Sequence, residues 1–199
     1  MRMWTVLALL FALPLAALAA LAADKPASLL GKEAPNLSGQ SSSGKLINLQ
    51  QLRREVEFLK SPDGKLIKEP SGKYQTKVTD YVIVINFFAT YCVPCVKEIP
   101  TFNKIAKAYP DKPIRFVYVN VDTEKSLGQI KEFAQTKGID VEMMFPSVSH
   151  AIQTYQIDTL PRIVVIDSRG KVSTVITGFH EDLAAQLDEV LKPLLAAEK

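Results

Sequence analysis

The alternation of apolar and polar residues changes period along the chain, and the changes mark out its elements. At 81–88 the run Tyr-Val-Ile-Val-Ile-Asn-Phe-Phe contains a single polar amide, Asn86, which predicts a strand buried on both faces of a sheet. Beyond it Ile99, Phe102, Ile105 and Ala106 recur at helical spacing and predict a helix over 97–108, with its start near residue 92. A second strand is predicted at 114–121. A second helix at 124–137 carries Leu127, Ile130, Phe133 and Ala134 on one face and is closed by Gly138. Strand, helix, strand, helix at these separations predicts an α/β fold with parallel pairing through right-handed crossovers. Residues 141–145 read as a short strand or extended link, 148–155 as a short helix, 163–167 as a buried strand, 168–171 as a hairpin loop and 172–177 as the returning strand. Leu183, Leu187, Val190, Leu191 and Leu194 stripe a structural helix over 181–195.

The first half is less regular. Residues 24–43 are rich in Ser, Gly, Pro and Ala and read as a linker, Gly44-Lys45 as a turn, and 46–49 as a short strand followed by 50–52. The stretch 53–80 reads as an insertion before the central strand. Pro62-Asp63-Gly64 and Pro70-Ser71-Gly72 break it into pieces that suit a hairpin or flap, with a short helix expected at 52–59. Two readings stand for it, a plain surface insertion and a partner-docking element.

Length and charge narrow the classes. With 199 residues, 47% of them hydrophobic, the chain suits one domain, expected over 24–199 and as a monomer. A net charge of +3 with interspersed signs gives no footprint for nucleic acid, and charged runs such as Lys97-Glu98 and 122–125 read as solvated faces. Residues 4–23 are apolar, follow Arg2 and end in alanines, which fits a secretory signal peptide cleaved near 20–23; the run is also long enough for an uncleaved membrane anchor. Both readings put the rest of the chain in a periplasmic or other extracytoplasmic space.

Both cysteines of the chain, Cys92 and Cys95, lie at the junction of the buried strand and the following helix. A helix N-terminus favours an anion, so the thiolate of Cys92 is expected to be stabilised there and to be the attacking sulfur in disulfide exchange. Val93 and Pro94 put Cys95 one helical turn on, close enough to close a small ring and to resolve a mixed disulfide. Pro94 costs little in the first turn. A purely stabilising bridge is a poor alternative, because so short a loop removes little entropy from the unfolded chain. A metal site needs two more ligands, and His150 and His180 lack zinc-site spacing to the pair. No metal and no cofactor are therefore expected.

Taken together, the buried strand, the Cys92-Val93-Pro94-Cys95 turn into a helix, the kink proline Pro100 and Leu160-Pro161 ahead of a hairpin resemble a thioredoxin fold. The segment from Asn86 through Pro100 is similar to the extracytoplasmic thiol-disulfide reductases of the TlpA, ResA and DsbE group, with further matches at Ala34-Pro35, Gly44-Lys45, Leu49 and Val119-Asn120-Val121-Asp122. The resemblance implies a central mixed β-sheet flanked by helices, with an N-terminal extension and the 53–80 insertion. It implies that Pro161 is a cis proline beside the sulfurs and that Leu160 pairs with a client strand. Tyr91, Val93 and Pro94 join Leu160 and Pro161 as candidate substrate-contacting positions. It also implies that Glu98 exchanges a proton with the resolving thiol.

In three places the chain departs from that group: the long insertion, Gln156 in place of a common glycine, and Arg162 in place of a small polar residue, expected to bring positive charge near the thiols. The implied function is a protein-disulfide reductase in the cell envelope. It would take electrons from a membrane thiol donor and pass them to a client such as apocytochrome c. Two rival readings are a Cu(I)-delivery module and a partner-binding envelope protein in which the thiols are incidental.

Overall fold

The computed structural model describes residues 28–196; the apolar run at 4–23 lies outside the described residues. The elements are β1 (Ser38–Ser41), β2 (Leu46–Asn48), α1 (Leu49–Arg53), β3 (Arg54–Phe58), β4 (Thr76–Asp80), β5 (Val82–Phe88), α2 (Val93–Lys107), β6 (Ile114–Asn120), α3 (Leu127–Thr136), β7 (Glu142–Pro146), α4 (Val148–Thr154), β8 (Arg162–Ile166), β9 (Val172–Thr177) and α5 (Leu183–Ala196). Seven strands form one mixed sheet in the order β2-β1-β7-β6-β5-β8-β9, while β3 and β4 pair separately.

The predicted crossovers are present: β5 pairs in parallel with β6, and β6 with β7, while β8 runs antiparallel to β5. Every residue of β5 is buried, as its near-continuous apolar run requires. Alternation along β5 divides the core. Phe88 meets Tyr118 and Phe133 on the face covered by α2 and α3, and Phe102 of α2 packs on Tyr118. Phe87 meets Tyr155, just after α4, on the other face. Leu183, Leu187 and Leu191 of α5 are fully buried. The helix expected at 124–137 begins at Leu127, where Ser126 and Gln129 form a reciprocal capping box.

Two expectations are corrected. The stretch read as a linker at 24–43 contributes β1, which sits inside the sheet between β2 and β7. Its four residues are too polar to show an apolar period, and Gly39 explains the local composition. A Cβ there would stand 2.7 Å from the backbone of Phe145, so only glycine allows the strands to approach.

The second correction concerns 52–59, expected to be a short helix. The helix ends at Arg53, and Arg54–Phe58 is a strand whose residues alternate between the two faces of a ribbon, Val56 opposite Val78 and Glu55 opposite Thr79. Cross-strand pairing overrides local helix propensity there. Past the ribbon, residues 59–75 form two tight turns, at 61–65 and 69–73, whose flanks hydrogen-bond one another through Leu59, Ile67 and Gln75. Gly64 and Gly72 adopt φ values of +82° and +83°, which accounts for the two Pro-x-Gly signals. The 53–80 insertion is thus an ordered β arm rooted at the start of β5.

Candidate active site

Cys92 caps α2. Its backbone is extended, its sulfur accepts the Cys95 N–H at 3.2 Å, and it is bonded to Cys95 in a disulfide. Val93 and Pro94 fill the first turn of the helix, where an amide has no intrahelical partner, so Pro94 removes nothing the helix needs. Pro100 stands inside α2 and is exposed. Cys92 is 8% exposed and Cys95 3%, so Cys92 is the more accessible residue of the pair.

The turn leading to Cys92 is held from below. Asp122, just past β6, is buried and accepts from Thr90 N at 2.9 Å, from Thr90 Oγ1 at 2.7 Å and from Asn120 Nδ2. Cys92 N in turn donates to Ala89 O. Asp122 was expected on a solvated face. Only 123–125 of that run are exposed, because the chain turns out of the sheet one residue later. The signal for this role was the Asn-Val-Asp spacing, which places two polar side chains on one side of a strand end.

Glu98 is also buried, at 1% exposure, although Lys97 beside it is exposed. It accepts the Asn86 Nδ2–H at 2.7 Å through Oε1. Among the described residues neither Glu98 Oε2 nor Asn86 Oδ1 has a hydrogen-bond partner, and the Tyr118 hydroxyl, on the residue paired with Asn86 across β5 and β6, is likewise unpaired. Burial pushes the Glu98 carboxyl up to about 7, against the opposing effects of the Asn86 bond and of the positive charge of His180. The one Asn86 N–H favours the carboxylate but is too little to offset its burial, and the second oxygen is left without a donor.

Tyr91, Cys92 and Leu160 line one groove of about 370 Å³ together with Val121, Ile152 and Ile157. The peptide between Leu160 and Pro161 is cis, Leu160 is half-buried, and Pro161 is buried with its carbonyl accepting from Gly178 N. Of the other candidate positions, Tyr91 and Val93 are exposed and Pro94 is half-buried; Val93 and Pro94 do not line the groove. Arg162, expected to bring charge near the thiols, hydrogen-bonds Asp158 and Thr177, and burial lowers its guanidinium pKa.

Gln156 adopts a φ of +51°, the left-handed conformation that explains why a glycine is common there. His150 bonds Thr154 near the surface, and His180 bonds Thr177 O and Gln186. Among the described residues no group of three or more His, Cys, Asp or Glu gathers in a way that would hold a metal ion.

Comparison with known proteins agrees with this geometry. The thiol-disulfide oxidoreductase ResA of Bacillus thuringiensis (strain Al Hakam) is 29% identical over 172 residues, covering 86% of this chain and 82% of that protein. A crystal structure of a thiol:disulfide interchange protein of the thioredoxin family from Chlorobium tepidum TLS is 26% identical, covers 82% of this chain and 95% of its own, and superposes with a TM-score of 0.59. StoA from Bacillus subtilis, at 21% identity, shares the fold with a TM-score of 0.51 over 69% of this chain and 97% of its own. Residues 29–191 match the Redoxin family. The chain therefore belongs to the Redoxin family, as a thioredoxin-like thiol-disulfide oxidoreductase of the TlpA, ResA and DsbE type.

Proposed function

We propose that the protein works outside the cytoplasm as a reductant of disulfides in envelope proteins, apocytochrome c among them, and is recharged by a membrane thiol donor. The observation that carries the reading is the position of Cys92, at the cap of α2 with the Cys95 amide aimed at its sulfur and beside a groove that also presents Tyr91 and Leu160. Amide and helix dipole both favour the thiolate, which is the attacking species.

The cycle balances in thiols. The Cys92 thiolate attacks one sulfur of the client disulfide, forming a mixed disulfide and releasing the other client sulfur as a thiolate. Cys95 then gives up its proton, with Glu98 one turn further along α2 as the acceptor, and attacks the Cys92 sulfur. The second client thiolate leaves, and the Cys92–Cys95 bridge remains. A donor dithiol reduces that bridge and restarts the cycle. The backbone of Leu160, carried by the cis Leu160–Pro161 turn, pairs with the extended client chain across the groove, and Tyr91 and Val93 supply apolar contact on either side of Cys92.

A Cys95→Ser chain expressed in the envelope tests the reading, since it stalls at the mixed disulfide. Recovery of apocytochrome c or another envelope protein joined through Cys92 is expected. Recovery of no disulfide-linked client, together with a reduction potential as high as that of dedicated oxidants, would overturn the reductant direction.

A further inference from the structure

The β arm uses none of its surface for the chemistry above, and it is built unlike the rest of the molecule. Half of the large apolar side chains that are exposed among the described residues belong to it. Val56, Phe58 and Val78 share one face of the ribbon, and Tyr74 meets Phe58 edge-on at 5.9 Å to extend that face towards the tip. The opposite face is turned to the body, where Glu55 bonds Arg115 and Tyr81. The apolar face is therefore the outward one. Lys60 and Lys73 beyond the paired strands are exposed and make no ion pair among the described residues, and Lys68 lies over the Tyr74 ring, while Lys77 stands opposite Glu57 on the other face.

The start of the described chain lies at the same end of the molecule. Gly31 N donates to Val172 O and Ala34 N to Gly170 O, while Arg53 at the arm's root donates to Ser168 O. Residues 31–34 and the arm root thus share the 168–172 hairpin as a neighbour. Residues 24–30 separate Gly31 from the apolar run ending at Ala23, a link that spans at most about 29 Å when extended. The thiols lie at the other end of β5, about 20 Å away along its seven residues.

We infer that the arm is a membrane-docking element: its apolar face and lysines rest on a bilayer of anionic phospholipid that holds the 4–23 segment, and the disulfide points away from that surface. Lysines near a negatively charged leaflet are attracted, and exposed apolar side chains between them enter the interfacial layer. This inference rests on the anchored reading of the N-terminus, and the experiment separates the two.

The full chain is reconstituted with vesicles of phosphatidylglycerol or of phosphatidylcholine. Flotation reports the anchor, and trypsin cleavage within 60–77 reports the arm. The expected result is flotation with both lipids, with arm cleavage at least tenfold slower on phosphatidylglycerol than on phosphatidylcholine. High salt should largely abolish that difference. A Phe58→Ser/Val78→Ser chain should lose the protection while being cleaved like the parent on phosphatidylcholine and reducing disulfides at the parent rate. Equal cleavage on the two lipids in a chain that floats overturns the docking alone. Failure to float overturns the anchor and the docking with it. Protection on native envelope membranes but not on phosphatidylglycerol vesicles also overturns the lipid assignment, and gives the face to a membrane protein instead.

Discussion

Two buried carboxylates flank the turn that carries Cys92, and they are treated in opposite ways. Asp122 takes donors on both oxygens, from Thr90 and Asn120, and so ties the turn to the end of β6. Glu98 is more deeply buried and has one donor, from Asn86, with its second oxygen unpaired among the described residues. A carboxylate whose bonds are complete serves as a fixed strut. One that is left short of donors resists ionisation, and resistance to ionisation near neutrality is what a group passing protons to a thiol requires. The contrast suits a structural role for Asp122 and supports the proposed proton handling by Glu98.

The largest effect that would break this contrast is on rate. Glu98→Gln is expected to slow the reduction of a protein disulfide near pH 7 by about 10²-fold, within the range for loss of a general acid or base. It should also leave the fold intact in near-ultraviolet circular dichroism. A Glu98→Gln chain as fast as the parent would make Glu98 a second strut.

The same variant sharpens the contrast through stability. Because the folded Glu98 carboxyl is raised to about 7 from an ordinary 4.5, the folded state holds a proton that the unfolded state has already released between those values. Its stabilising contribution is full below about pH 4.5 and is lost as pH climbs to 7, amounting to about 3 kcal/mol. Denaturant curves of the oxidised parent should show this fall relative to Glu98→Gln, and parallel curves would contradict it.

Asp122→Ala is expected to cost about 2 kcal/mol at all pH values in that window, since it strands the Thr90 amide and the Asn120 side chain without acceptors. Asp122→Asn, which keeps an acceptor for Thr90, should recover part of it. Asn86→Ala should move the Glu98 midpoint upward, because the amide's hydrogen bond is what holds it down. A carboxyl infrared titration reads that shift. The smallest effect is at the arm. Phe58→Ser, at an exposed position on the outward face of the ribbon, should change global stability by no more than about 0.5 kcal/mol in solution.

What could be read from the sequence follows the same division. The apolar run of β5, the period of α2 and the Leu160-Pro161 pair ahead of β8 each state their structure locally, and the strand, the helix and the cis turn are where those signals put them. The hairpin and turns expected within 53–80 are present, but β1 and the strand at Arg54–Phe58 differ from expectation because their structure comes from partners distant in sequence. Gly39 is fixed by Phe145, and Arg54–Phe58 by Thr76–Asp80. Asp122 looked like a surface charge for the same reason. Its burial depends on Thr90, thirty-two residues earlier. Glu98 was identified through family resemblance, and its spacing from Cys95 gave no hint that Asn86 would leave it half satisfied.

The most direct test is the alkylation of the reduced protein by iodoacetamide across pH, followed separately at each cysteine by mass spectrometry. The account predicts that Cys92 reacts much faster than Cys95 at neutral pH and stays reactive well below the ordinary thiol range near 8.5. Equal rates at the two sulfurs, or a Cys92 profile that titrates like a free cysteine, would contradict it.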